Sequence, residues 1–469
     1  MKHRLSFKTQ LTVSPKAIWS WHAAPGAFER LCPYWESVVV RKRIASPHSL
    51  SDIAEGATVE LDLYPLAPLS FPKLEWTIRH HGYIEGSKFE DQQLKGPFSY
   101  WNHQHIIHSD GTLEDTIDYE LPFSPLSDIL AKTFTEAKLR RLFKYRHRVT
   151  ASDLQTQSNY KGKPMKILIT GATGLVGKQL SAYLSTAGHS VYKLVRQKNL
   201  SASEIYWNPD TSEIDTAALE AAQIDAVIHL AGENIAAKRW TTKQKSLIAA
   251  SRVNGTRLLA TTLANLKTKP KTLVSASAIG FYGDRADELL SENSTAGGGN
   301  AACKFLAETC AAWEAATKAA SDAGIRVVHA RFGVILDPRG GALSKLLLPF
   351  QIGAGGIIGN GRQYMSWIAI DDVLGALYHC AITESLSGAV NIVAPNAVTN
   401  LEFTRVLGRV LHRPTIAPLP AFAARIILGE MADGLLLSSA HVSPNALSSS
   451  GYKFQYSELE PALRHLLGS

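Results

Sequence analysis

The chain has 469 residues, 45% of them hydrophobic and 19% charged, with a net charge of +8. That length exceeds one ordinary domain, and the composition is that of a globular protein with material for two cores. The basic residues are scattered rather than blocked beside aromatics, which argues against nucleic acid as a partner. Their densest stretch, Lys138 to Arg148, reads as a solvated helix face running into a strand.

The N-terminus, Met1 to Val13, lacks an apolar signal core, and the longest apolar run, Leu419 to Leu437, is broken by Arg425, Glu430 and Asp433. No membrane span is expected. Cys32, Cys303, Cys310 and Cys380 are dispersed, and the seven-residue step between the middle two is two helical turns, not a zinc-knuckle spacing. They suggest no disulfide framework, which points to a reducing, cytoplasmic compartment.

Taken in order, Leu5–Val13, Val38–Ile44, Thr58–Leu63, Trp76–Glu85, Ser99–Ile107 and Thr112–Tyr119 read as strands. A short helix is predicted from Pro15 with Ser14 as its N-cap. A longer one is predicted from Ser127 to Tyr145, with Ile129, Leu130, Phe134, Leu139, Leu142 and Phe143 as its apolar stripe. Many antiparallel strands and one long final helix make an α+β arrangement, a curved sheet gripping the helix around an apolar cavity. His103 and His105 share a strand face with Trp101; no third ligand at a metal spacing is visible, so they are expected to line that cavity.

Thr150 to Pro164 is polar, without apolar period, and reads as a linker. Beyond it strands alternate with helices: Lys166–Thr170, Ser190–Val195, Ala226–Leu230, Thr272–Ala276, Arg326–Phe332 and Ala389–Ile392 are mostly continuous apolar runs, as in a doubly wound parallel sheet of the Rossmann type. The expected divisions are 1–155, a linker at 156–164, a dinucleotide-binding part at 165–394, and a small C-terminal helical segment at 395–469.

The first strand of that pattern runs into Gly171-Ala-Thr173-Gly174-Leu175-Val176-Gly177. Gly171 would make a tight turn, Gly174 would admit a pyrophosphate, and Gly177 would let the helix pack closely, with the phosphates at the helix N-terminus. About twenty residues on, where an acid would hold the 2′-hydroxyl of NAD(H), stands Arg196. A cation suits a 2′-phosphate, so NADP(H) is the expected cofactor. Leu230, Ala231 and Gly232, closing a later strand, would lie beneath it, and Arg331 is counted with the cofactor residues.

Residues 165–469 resemble the atypical extended short-chain dehydrogenase/reductases of the epimerase family protein type. The resemblance is carried by Thr170–Gly177, His229–Ile235, Arg239-Trp-Thr, Ser251–Thr256, Ser275–Asp284, Phe305-Leu-Ala-Glu, Trp313-Glu314, Arg331–Asp337, Ser366–Asp372 and the tail Leu435–Leu467. It implies NADP(H) binding and oxidoreductase or epimerase-like chemistry on a small molecule. The first 155 residues resemble the START-like, polyketide-cyclase-like (SRPBCC) helix-grip domains, through Gly96-Pro-Phe98, Trp101–His105, Asp115–Pro122 and Phe143–His147. That resemblance implies an apolar ligand.

Short-chain dehydrogenases use a Tyr-x-x-x-Lys pair on one helix face. In the corresponding helix, Lys304 to Ala320, Phe305 takes the tyrosine place and Thr309 the lysine place; Lys304 and Glu308 are expected to form an exposed ion pair. Ser277 lies close to the family's serine place, and Tyr282 is the candidate replacement acid. Arg252 would anchor an anionic substrate or support its loop. Glu233, Asn234, Trp240, Arg362, Trp367 and Asp371 are expected at the C-terminal edge of the sheet, on the substrate side. The lost dyad leaves a second reading open, a non-catalytic NADP(H) sensor or ligand carrier.

Overall fold

A computed structural model describes residues 1–46, 53–64, 72–123, 126–160 and 162–469, with the side chains of 126–130 outside the description. Two units emerge, one of Met1–Lys163 with Ala182–His189 and Gly468, the other of Pro164–Ser181, Ser190–Leu467 and Ser469.

In the first unit, β1 (His3–Gln10), β2 (Val38–Ile44), β3 (Thr58–Leu63), β4 (Leu74–Ile84), β5 (Lys88–Lys95), β6 (Tyr100–Ile107) and β7 (Thr112–Glu120) pair antiparallel in the order β1-β7-β6-β5-β4-β3-β2. Ser14 caps α1 (Pro15–Ala23), its side chain accepting from the Ala17 amide. After α2 (Ala27–Leu31) and the sheet comes α3 (Leu126–Ser158). Leu5, Trp101, Ile117, Tyr119 and Leu121 bury one sheet face with Leu139 and Phe143 of α3, each large side chain contributing about 1.5–3 kcal/mol. Phe7 stacks on Phe143 with centroids 5.0 Å apart.

α3 corrects three expectations. It runs thirteen residues beyond Tyr145, through the first half of the expected linker. Val149, Thr150, Asp153 and Leu154 are buried at helical spacing, and Asp153 pairs at 2.7 Å with the equally buried Arg30 of α2. An inward face with polar members leaves no apolar period to read. The basic stretch from Lys138 lies wholly within the helix rather than entering a strand. Phe134, placed in the apolar stripe, is 73% exposed, whereas Ile129 and Leu130 lie outside the described side chains. β5 is missing from the sequence reading because its inward residue between Phe89 and Gln93 is Asp91. The region assigned to an apolar cavity therefore carries, beside the aromatic core, buried ionisable side chains: Asp91, His103, His105, Asp115 and His147.

In the second unit, β8 (Lys166–Thr170), β9 (Ser190–Val195), β10 (Glu204–Asn208), β12 (Ala226–His229), β13 (Thr272–Ala278), Arg326–Phe332 and Gly388–Ile392 form a parallel sheet. Its order is β11-β10-β9-β8-β12-β13, then those last two strands, with the short β11 (Glu213–Ile214) antiparallel at its edge. Leu168, Val227 and Leu273 are fully buried between the layers. β10, whose Ile205 and Trp207 face inward, escaped the sequence reading. The order reverses between β8 and β12, the crevice at which such sheets bind ligands. The 419–437 run splits into helices Ala421–Leu428 and Met431–Leu435, and among the described residues no helix is long and apolar enough to cross a membrane.

Candidate functional site

β8 ends at Thr170 and the chain turns at Gly171, whose φ is +68°. A Cβ there would lie 2.9 Å from the Leu230 carbonyl carbon and 3.0 Å from the Ala231 nitrogen, so both conformation and space require glycine. At Gly177 a Cβ would overlap the carbonyl oxygen of Gly171, so helix α4 (Leu175–Thr186) closes on the turn only without a side chain. Between them Thr173 and Gly174 are exposed, leaving the start of α4 accessible to an anion.

A buried hydrogen-bond chain floors this turn. Thr170 Oγ1 accepts from the amides of Leu230 and Ala231, both at 3.1 Å. With its acceptor positions filled, its proton goes to His229 Nδ1, 2.6 Å away. His229 is thereby the Nε2–H tautomer, and donates at 2.8 Å to Thr256 Oγ1, which also accepts from Trp313 Nε1 at 2.8 Å. Burial pushes this imidazole down to about 4 and keeps it neutral.

Arg196 follows β9, its side chain 73% exposed and 3.9 Å from the equally open Asp210. Gly232 and Asn234 are exposed after β12, and Glu233 is half-buried with its amide bonded to Ser251 Oγ at 3.0 Å. Arg252 lies against Gly232, donates to the carbonyls of Glu233 (3.0 Å) and Ile248 (3.1 Å), and sits 5.1 Å from the Trp313 ring centre. Desolvation lowers its pKa, and among the described residues no carboxylate lies within ion-pair distance. Arg362 is exposed, its amide held by Asn360.

Four expected site residues are instead structural. Trp240 is buried, donates to the Ile235 carbonyl at 2.9 Å and packs edge-on against Phe305 at 5.3 Å. Trp367 is fully buried and donates to the Asn396 carbonyl. Asp371 is buried 3.1 Å from His465 Nε2. Arg331 is buried in a bidentate pair with Glu314, both bonds 2.8 Å, its guanidinium 3.5 Å from the Phe281 ring centre.

The same network claims both candidate hydroxyls. Ser277 donates to Glu314 at 2.7 Å. Tyr282 has no exposed surface, accepts from Arg331 at 2.9 Å and donates to Asn391 at 2.7 Å. Burial raises its pKa against the opposing pull of Arg331. Tyr282 is thus corrected from replacement acid to core residue, and Ser277 is committed to a carboxylate rather than open. Glu314 and Asn391 were not singled out from sequence as functional; the Trp313-Glu314 pair was the available signal. The helix bearing the dyad's places spans Ala301–Ala315, shorter than expected; Thr309 Oγ1 turns back to the Phe305 carbonyl at 2.7 Å. Lys304 and Glu308 form the exposed pair at 3.9 Å.

A reversing parallel sheet with a glycine turn at its crevice defines a Rossmann-type nucleotide-binding protein. The NAD-dependent epimerase/dehydratase family matches residues 167–392, and a domain of unknown function, DUF1731, matches 419–466. An epimerase family protein of Mycobacterium bovis is 41% identical over 297 residues, 63% of this chain and 96% of the relative. The human epimerase family protein SDR39U1 is 32% identical over 65% of this chain and 100% of its own length. The chain belongs to the NAD-dependent epimerase/dehydratase family, among the epimerase family proteins. A nucleoside-diphosphate sugar epimerase from Corynebacterium glutamicum is 32% identical with a TM-score of 0.77, over 99% of this chain and 90% of that one. Human SDR39U1 solved with NADPH has 31% identity and a TM-score of 0.58, over 65% of this chain and 99% of that one.

Proposed function

We propose that the chain binds NADP(H) over Gly171, Thr173, Gly174, Leu175, Val176 and Gly177, with Arg196 meeting the 2′-phosphate and Leu230, Ala231 and Gly232 beneath. The observation that carries this is the steric need for glycine at Gly171 and Gly177 beside an exposed helix start. The solved NADPH complex of human SDR39U1 supports the choice of dinucleotide. In this reading the chain is an oxidoreductase or epimerase-like enzyme whose small-molecule substrate lies beside Glu233, Asn234 and Arg252, with Arg362 toward its outer edge. An acidic group suits Arg252, which has its packing and two carbonyls and, among the described residues, no carboxylate within ion-pair distance. The first unit is proposed as a START-like helix-grip ligand-binding domain, supported by its antiparallel sheet and the long α3.

One observation favours the second reading, a non-catalytic NADP(H) sensor or ligand carrier: Phe305 and Thr309 offer no titratable pair, and Ser277 and Tyr282 are already bonded. Fluorescence titration with NADPH and NADH, followed by turnover assays against nucleotide sugars and broad metabolite pools, tests both. Tighter NADPH binding with steady cofactor consumption supports the enzyme, and tight binding without turnover supports the sensor. Equal affinity for the two dinucleotides overturns the NADP(H) assignment.

A further inference from the structure

The first unit's sheet holds a group of side chains that the nucleotide site does not use. Strand register sets Asp91 of β5 opposite His103 of β6, and His105 of β6 opposite Asp115 of β7, so the four form a zigzag across three strands on one sheet face. All are buried, from 1% exposed at His103 to 7% at Asp91. Each imidazole addresses both carboxylates with opposite nitrogens. His103 Nδ1 and His105 Nε2 lie 2.8 and 3.7 Å from Asp91 Oδ2. His103 Nε2 and His105 Nδ1 lie 2.9 and 2.6 Å from Asp115 Oδ1. Sequence spacing shows two imidazoles and no third ligand because the third comes from a neighbouring strand.

We propose that Asp91, His103 and His105 bind one divalent ion of the zinc class, with Asp115 orienting both imidazoles from behind. Their ligand atoms lie within 4.8 Å of one another, close enough to share an ion at ordinary bond lengths of about 2.0–2.2 Å. A metal-bound histidine characteristically donates its other ring N–H to a carboxylate. Asp115 Oδ1 accepts from His103 Nε2 at 2.9 Å and lies 2.6 Å from His105 Nδ1, so His103 Nδ1 and His105 Nε2 are the nitrogens turned toward Asp91.

The outer contacts are consistent with those proton positions. Trp101 Nε1 donates to the other oxygen of Asp91 at 3.1 Å, and His147 Nε2 donates to Asp115 Oδ2 at 2.7 Å. Thr9 Oγ1 completes His147 at Nδ1, 2.8 Å away. The two buried carboxylates supply the negative charge that a divalent ion would meet. His105 Nδ1 lies 2.6 Å from Asp115 Oδ1 without an aligned hydrogen bond. Two nitrogens and one oxygen select a borderline ion over magnesium or calcium, which favour all-oxygen sets.

The test uses the full chain, free of any polyhistidine tag and stripped with chelator. Titration with Zn²⁺ against a chromophoric chelator is expected to show one tight equivalent per chain, and Co²⁺ to give the intense visible bands of a four- or five-coordinate site. Asp91→Asn and the double variant His103→Ala/His105→Ala should lose that equivalent. Asp115→Asn should weaken it about 10–100-fold. The surface variant His441→Ala should bind as the parent does. No stoichiometric uptake by the parent overturns the proposal, as does uptake that survives the double variant. Should the double variant fail to fold, the parent's cobalt spectrum decides: weak six-coordinate bands overturn the site, and intense ones support it.

Discussion

Replacing Glu314 with Gln keeps its shape and removes its charge at the point where Arg331 and Ser277 meet it. The pair is bidentate at 2.8 Å, with side chains only 5% and 11% exposed, so solvent does little to screen the loss. Breaking such a buried pair from one side typically costs about 3–5 kcal/mol, because the remaining charge is stranded. Phe281 under the guanidinium and the Tyr282 hydroxyl keep some compensation, which favours the lower end, about 3 kcal/mol. For a unit this large that is a fall in Tm of roughly 6 °C. Urea unfolding followed by circular dichroism measures it, in a cycle with Arg331→Met and the double variant. Removing both partners should restore part of the stability, so the two changes should be non-additive by about 1.5 kcal/mol or more. NADPH affinity of the folded Arg331→Met protein should stay within about threefold of the parent. Additive effects within about 0.5 kcal/mol would refute the stranded-charge argument. A large loss of NADPH affinity without loss of stability would return Arg331 to the cofactor.

Arg196→Glu should abolish or reverse a preference for NADPH over NADH by withdrawing a charge-assisted contact worth about 1.5–3 kcal/mol, read by fluorescence titration. An unchanged ratio of affinities would remove Arg196 from the site. Asp153→Asn should destabilise the first unit by about 3–5 kcal/mol through Arg30, and a fragment ending at residue 163 should unfold in one transition, measured by calorimetry. His229, held near 4 when folded against about 6.5 when unfolded, binds its proton preferentially in the unfolded chain. Its contribution is therefore complete above pH 6.5 and lost as pH falls toward 4. His229→Gln should be less stable at pH 7.5, yet lose about 2–3 kcal/mol less between pH 7 and 4.5 in urea melts; parallel pH profiles would contradict this.

What the sequence disclosed and what it hid divide along one physical line. Apolar strands covered on both faces, such as Ile167–Ile169 and Val227–Ile228, announce themselves, and so does a glycine turn between strand and helix. Elements whose inward positions are charged do not. β5 buries Asp91 and the end of α3 buries Asp153, and each is made tolerable by partners on other elements, Trp101 and His103 for the first and Arg30 for the second. The site followed the same rule. Gly171, Gly177 and the Leu230–Ala231 contact were legible because backbone approach needs small residues. Trp240, Trp367, Asp371 and Arg331 looked exposed and functional because polar or aromatic identity does not reveal a carbonyl, imidazole or carboxylate waiting in the core.

With dinucleotide bound over the glycine turn as proposed, the directional hydrogen bonds beneath it would tie cofactor occupancy to acidity. Thr170 can give its proton to His229 only while the imidazole is neutral; a second ring proton would force that hydroxyl to reverse and loosen the Leu230 and Ala231 amides. Those amides belong to the segment against which Gly171 closes. A nucleotide that prefers the closed turn must then oppose protonation of His229, and an acidified chain must release nucleotide more readily, each by the same factor. On that linkage saturating NADPH should move the acid transition to lower pH; an unmoved transition would separate His229 from the cofactor site.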